Sequence, residues 1–122
     1  MHIFLTVMLV LVGLEHLGIC YLEMFASTAA QVKAFGMPRE FVERKETKIT
    51  LANQASYNGM LGVLLLLTAF IVPVDAVVIV AAMLFAFVLV VGIYGGATVI
   101  KGIYLFQALP AVIGLLAVFL AR

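Results

Sequence analysis

The chain has 122 residues and a formal net charge of +1, with 66% hydrophobic and 11% charged residues. Soluble domains carry about 25% charged residues, so this composition could not cover a folded surface with groups that water solvates. The composition instead predicts a protein whose partner and solvent is the lipid bilayer, and the near-neutral charge excludes nucleic acid as a partner. The lone Cys20 excludes an internal disulfide, and the length predicts a single domain over residues 1–122.

The first apolar stretch is predicted to be a retained helix and not a cleaved secretory signal. No Lys or Arg precedes it, no small-residue cleavage site follows it, and its apolar character continues through Leu22.

Four apolar stretches follow one another along the chain, at about 3–24, 51–72, 76–100 and 103–120. Each has about 18–25 residues, which is enough to cross roughly 30 Å of hydrocarbon as a helix. The short links after the second and third stretches force antiparallel neighbours, and Asp75 is placed to cap the third helix. The sequence therefore predicts an all-α fold, an integral membrane up-down four-helix bundle.

The long connection, residues 25–50, holds most of the charge. Its charged residues are Lys33, Arg39, Arg44, Lys45 and Lys48 with Glu40, Glu43 and Glu46. Basic residues concentrate on the cytoplasmic side of membrane proteins, so this connection should face the cytoplasm and both termini the outside of the cell membrane. From Pro38 the connection is predicted to be helical, with Glu40 and Arg44 paired.

Polar residues of the apolar stretches concentrate in the half next to this connection. They are Glu15, His16, Glu23, Asn53, Gln54, Tyr57, Asn58, Tyr94 and Gln107. Ionisable groups at membrane depth turn inward and find partners, which predicts a polar pocket. Its predicted walls are Glu15, His16, Glu23, Asn53, Asn58, Tyr94 and Gln107.

Each of these residues has a functional and a structural interpretation. Glu15 and His16 could be a catalytic acid/base pair, or could hydrogen-bond to the amide cluster. The amides at 53, 54 and 58 could bind a ligand carbonyl or hydroxyl, or only link helices. Glu23 could bind ligand or pair with Lys48 or Lys101, and Tyr94 could anchor the helix at the interface.

Metal binding is not predicted. His16, Cys20 and Glu23 share a helix face, but the outer two lie about 10 Å apart along the axis, and no paired His or Cys motif exists. Cys20 is interpreted as a packing residue, and the sequence specifies no cofactor.

Glycine and proline mark the last two stretches. Gly92 and Gly96 are interpreted as sites of close packing within the chain, and Pro110 predicts a kink beside Gln107 because it leaves the Phe106 carbonyl without its helical donor.

The ordered polar motifs resemble a known family. The motifs are Glu15-His16, Glu23-Met24-Phe25, Asn53-Gln54-x-x-Tyr57-Asn58-Gly59, Gly92-Ile93-Tyr94-Gly95-x-x-Thr98 and Gln107-x-x-Pro110-Ala111. They resemble the small bacterial and fungal membrane family called domain of unknown function 1304. Ala55 and Ser56 depart from its usual Gly-Leu after the Asn-Gln pair. The resemblance implies four helices and the same polar residues, and it implies no reaction.

The layout is also similar to that of the membrane-associated eicosanoid and glutathione enzymes, which have four helices, a basic first cytoplasmic loop and an Asn-bearing second helix. Asn58 lacks the acidic neighbour that those enzymes have, so this similarity is one of layout only.

Three functions therefore stay open. The first is a protein that binds or transforms a small lipophilic molecule, with Glu15 and His16 as acid/base candidates. The second is a homo-oligomeric small-molecule transporter, and the third is a structural or accessory membrane subunit. The sequence leaves open whether the protein is an enzyme.

Overall fold

A computed structural model describes residues 3–122; Met1 and His2, the first two residues of the predicted domain, lie outside the described residues. Every regular element between 3 and 122 is helical, so the predicted all-α class is confirmed. The elements are α1 (Ile3–Met24), α2 (Thr28–Phe35), α3 (Arg39–Val42), α4 (Lys45–Phe70), α5 (Val74–Thr98), a π-helical turn (Tyr104–Ala108) and α6 (Leu109–Leu120).

Two of the described helices, α1 and α5, are long and apolar enough to cross a membrane, with mean hydropathies of 2.2 and 3.1. The 26-residue α4 is long enough, but charged and polar residues fill its first turns. The apolar segment from Tyr104 to Leu120 is shorter.

The helices form two antiparallel pairs, and glycines set the closest approaches. In the α1/α4 pair, a Cβ added at Gly62 would lie 2.7 Å from the carbonyl oxygen of Gly13. In the α5/α6 pair, a Cβ at Gly92 would lie 2.8 Å from the Ala108 nitrogen, so this glycine serves packing within the chain. Contacts between α1 and α6 join the two pairs.

Replacing Gly62 by alanine is expected to destabilise the fold by about 2 kcal/mol, because the new methyl group meets backbone and one of the two helices must shift. Gly18→Ala on α1 is the matched control, since nothing lies within 4 Å of an added Cβ there. The control should be neutral or gain about 0.5–1 kcal/mol. Unfolding midpoints in detergent check both variants, and equal losses would contradict the α1/α4 contact.

The apolar core lies in the half of the bundle away from the charged connection. It includes fully buried side chains from all four long elements, among them Leu5, Leu9, Val12, Leu65, Val77, Phe85, Val88 and Ala111. The buried ionisable side chains, by contrast, lie in the last three turns of α1. The buried ionisable residues and the apolar core therefore lie in opposite halves of the bundle.

The charged connection is more structured than predicted. Helix α4 begins at Lys45, six residues before the predicted start at 51, and α2 and α3 fill most of the remainder. The predicted Glu40–Arg44 pair is wrong: α3 ends at Val42, and Arg44 has extended backbone with ψ 139°. The pair that forms joins Arg39 Nε to Glu43 Oε1 at 2.7 Å.

Two details at the ends of α5 and α6 follow from proline. The prediction that Asp75 caps α5 is wrong, because Pro73 occupies the cap position and Asp75 lies inside the first turn. Pro110 has no N–H to donate, and the helix before it widens into the π-helical turn, where the Leu109 N–H bonds to the Tyr104 carbonyl. The π-helical turn includes Gln107 and lies where Pro110 predicts a kink.

Candidate functional site

The carboxyl group of Glu23 lies buried between α1 and α4. Its side chain is 3% exposed, and Oε1 accepts a hydrogen bond of 2.5 Å from Nδ2 of Asn58. Oε2 is buried and has no hydrogen-bond partner among residues 3–122. The close approach is made possible by Gly59, where an added Cβ would lie 2.9 Å from the Cys20 sulfur. Cys20 thus serves as a packing residue beside a carboxyl group with one open acceptor.

Gln31 and Lys48 connect this end of α1 to the charged connection. Gln31, 2% exposed, donates from Nε2 to the carbonyl oxygens of Leu22 at 3.0 Å and Glu23 at 3.1 Å. These are carbonyls of the last turn of α1, which lack helical donors. Lys48 Nζ in turn donates to Gln31 Oε1 at 2.6 Å and to Thr28 Oγ1 at 3.1 Å. The network ties α1, α2 and α4 together.

Sequence reasoning missed Gln31 and expected Lys48 to pair with Glu23 or to be solvated. The partners are 17 residues apart along the chain, and nothing in the sequence places one against the other. The one signal that could have indicated Gln31 is that its uncharged amide stands in a segment of charged and small residues.

His16 and Glu15 present further acceptors. His16 is fully buried, and its Nδ1 lies 2.9 Å from the Val12 carbonyl oxygen. A carbonyl only accepts, so Nδ1 carries the hydrogen, and a neutral ring then has its lone pair on Nε2. Nε2 is buried and has no hydrogen-bond partner within residues 3–122, and the same holds for Oε2 of the partly buried Glu15. The two side chains are adjacent in sequence and leave α1 about 100° apart.

Four of the predicted binding residues, two of them predicted pocket walls, lie on the outside of the bundle. Asn53 and Gln54 are exposed, Tyr57 is 72% exposed and Tyr94 is 71% exposed. The physical reason is helical phase. Helix α4 turns the face with Leu51, Ala55, Asn58 and Gly62 toward the rest of the chain, so positions 53, 54 and 57 fall on the outside. Gln107 is half-buried near Gly92.

The structure therefore brings Glu23 and Asn58 together and leaves the other predicted walls apart from them. The catalytic roles of Glu15 and His16, and the binding roles of all these residues, stay predictions. Among residues 3–122, no three His, Cys, Asp or Glu side chains are grouped so that they could hold a metal ion.

Fold and site together define a small all-α protein with two helices of membrane-spanning length and a buried polar network near one end of the first. The chain belongs to the family described as Protein of unknown function (DUF1304), which matches residues 10–119, so the resemblance seen in its motifs is confirmed.

The chain is similar to "Uncharacterized protein YpaA" of Lactococcus lactis, to which it is 32% identical over 120 residues, covering 98% of this chain and 99% of the relative. No solved structure matches the chain.

Proposed function

We propose that the protein is a multi-pass cell-membrane protein whose four long helical segments all cross the bilayer. Besides the two apolar helices, the outer surface of every long helix supports this, with exposed apolar side chains such as Leu14, Leu64, Phe87 and Leu116. Soluble monomers rarely expose so much contiguous apolar surface. The basic excess of residues 25–50 supports an orientation with that segment in the cytoplasm and both termini outside.

Thiol labelling of intact cells tests this topology. In a Cys20→Ser background, a membrane-impermeant maleimide should label Arg122→Cys from outside and should label Glu40→Cys only after lysis. The reverse pattern would contradict the orientation.

In this setting the protein binds a small lipophilic molecule by its polar end, in the cytoplasmic half of the bundle. The observation that carries the proposal is Glu23, which is held by Asn58 through one oxygen while the other oxygen is buried and unpartnered among residues 3–122. A buried polar atom without a partner is unfavourable by about 1–3 kcal/mol. A ligand that supplies a hydrogen-bond donor would remove that penalty.

The chemistry of the open atoms indicates the ligand class. The Nε2 lone pair of His16 accepts a hydrogen bond, and so do the carboxyl groups of Glu15 and Glu23 when they are ionised. The ligand therefore carries a hydroxyl or amine group on an apolar body. If the protein also transforms the ligand, Glu15 and His16 are the residues for proton transfer, since both can give and take a proton.

Native mass spectrometry of the gently solubilised protein tests the binding proposal. A discrete bound mass is expected on the wild type and should be lost in Glu23→Gln, which replaces one acceptor oxygen by a donor. Glu15→Gln should weaken retention as well. Glu43→Gln is the matched control, because Glu43 is exposed just after α3 and lies outside the network. A bound mass that survives Glu23→Gln unchanged would refute the role of this carboxyl group.

The exposed polar group on α4 favours a second candidate function. Asn53 and Tyr57 are exposed at the surface, and in lipid such side chains favour contact with another helix. This supports a homo-oligomeric transporter or an accessory subunit of a larger complex. The same spectra give the subunit count, and a dimer that Asn53→Leu dissociates would favour the oligomer.

A further inference from the structure

Two cavities lie on either side of the break between α3 and α4. The larger, about 530 Å³, reaches from Gly36 to Thr98 at the end of α5. The smaller, about 430 Å³, runs along the first turns of α4 to Gln54. Met37, Phe41 and Arg44 line both, so the Arg44 side chain stands between them. In the proposed topology, this is the level at which the membrane-spanning helices reach the cytoplasmic surface.

Arg44 forms no ion pair with the part of the chain that the structure describes. No carboxylate among residues 3–122 is in ion-pair contact with it, whereas the neighbouring Arg39 is paired with Glu43. The Arg44 guanidinium carbon lies 5.6 Å from the centre of the Phe41 ring, a cation–π contact that orients the group and leaves its N–H edges open. Such an edge matches two oxygens of a phosphate.

The smaller cavity adds further donors on the same face of α4. Thr47 is 7% exposed and lines the cavity, and its hydroxyl makes no hydrogen bond with residues 3–122. Thr50 and Gln54 follow one and two turns later. The first N–H groups of α4 also lie at this end, where no side chain of residues 3–122 caps them, and this favours an anion there. Two carboxylates oppose it: Glu46 lines the same cavity, and Glu40 lines the larger one.

Apolar side chains complete the cavity. Met37, Phe41 and Leu51 form its remaining walls, so the site presents a cation and hydroxyls beside apolar surface. A molecule that combines an anionic oxygen group with an apolar body fits this arrangement better than a small free anion.

From these observations we infer that the cavity beside Arg44 binds the phosphate group of a phospholipid, with Arg44, Thr47, Thr50 and Gln54 as donors and the lipid's apolar part against Met37, Phe41 and Leu51. The site is separate from the buried Glu23 network. The inference rests on the proposed membrane location and is independent of the small-molecule ligand.

The test uses the purified full chain in a mild detergent, with phosphatidylglycerol as the probe and diacylglycerol of the same acyl chains as the phosphate-free comparison. Native mass spectrometry should show phosphatidylglycerol adducts in large excess over diacylglycerol adducts. Arg44→Gln should weaken the apparent affinity at least about tenfold, which corresponds to losing a charged hydrogen bond. Glu46→Gln should tighten it.

Three controls make the outcome decisive. Arg39→Gln removes the same charge outside the smaller cavity and should leave the lipid affinity unchanged. Arg44→Lys keeps the charge but not the planar guanidinium group, so its lipid affinity should lie between those of the wild type and Arg44→Gln. Equal losses in Arg39→Gln and Arg44→Gln, or equal binding of diacylglycerol, would overturn the inference. Displacement of the lipid by equimolar inorganic phosphate would overturn it in favour of a free-anion site. Arg44→Gln should keep the bound mass that Glu23→Gln loses, so the two proposals fail separately.

Discussion

Phe85→Ala is expected to lower the free energy of unfolding by about 3–4 kcal/mol, the largest effect among the single substitutions considered. The ring is fully buried and fills the contact between α5 and α6, where a Cβ added at Gly114 would lie 2.5 Å from a ring carbon. Truncation opposite a glycine leaves a cavity that no neighbouring side chain fills. The value lies at the lower end of the range for buried phenylalanines, because in the proposed membrane location lipid is as apolar as the protein interior, and packing is then the main term lost.

Phe87→Ala is the matched control for this substitution. Phe87 lies on the same helix two residues later and is 56% exposed. Its replacement by alanine therefore removes the same atoms without opening a cavity in the core. Its expected effect is below about 0.5 kcal/mol. Denaturant titration in mixed micelles, followed by far-UV circular dichroism, measures both variants. Similar losses for the two would mean that the α5/α6 contact is placed incorrectly.

The second large effect is expected for Asn58→Leu, at about 3 kcal/mol. Asn58 is the one side chain among residues 3–122 that donates to the Glu23 carboxyl group, and its loss leaves both oxygens of a buried acceptor without a partner. A hydrogen bond to a charged group contributes about 1.5–3 kcal/mol, and leaving the group unsatisfied adds its desolvation penalty. Asn53→Leu on the exposed face of α4 is the control and should change stability little.

A double-mutant cycle separates this hydrogen bond from a general effect of the substitutions. Glu23→Leu/Asn58→Leu replaces both partners by apolar groups and should recover most of the stability that Asn58→Leu loses. The expected coupling energy is roughly 2 kcal/mol. Additive single effects would show that the two side chains do not interact in the folded protein. If the double variant is stable yet loses the bound mass, the pair serves binding and not only folding.

The sequence alone identified the all-α class and the family. Apolar stretches of about 18 or more residues predict long helices, and this signal does not depend on how the helices pack. It is least reliable where charge and apolar residues mix. Helix α4 therefore begins six residues earlier than predicted, and α2 in the charged connection was not predicted.

At the candidate site, too, the sequence names the polar residues but does not say which of them meet. Asn53 and Asn58 have identical chemistry and lie five residues apart on one helix, yet one is exposed and the other holds Glu23. Helical phase separates them by about 140°, but phase alone does not say which face meets α1. That choice follows from the close approach at Gly13, Gly59 and Gly62, which is a property of two helices together.

By itself the sequence determined the all-α class, which its long apolar stretches indicate, and the family, which its ordered polar motifs resemble. Both signals lie along the chain and do not depend on how the helices pack. Only the tertiary structure decided which polar groups meet. Gln31 reaches the end of α1 and Lys48 reaches Gln31 across 17 residues, and Glu23 meets Asn58 across 35. Such contacts depend on the rotation and register of packed helices. Side-chain volumes at the helix interface fix that rotation and register, and the pattern of residues along the chain does not encode them.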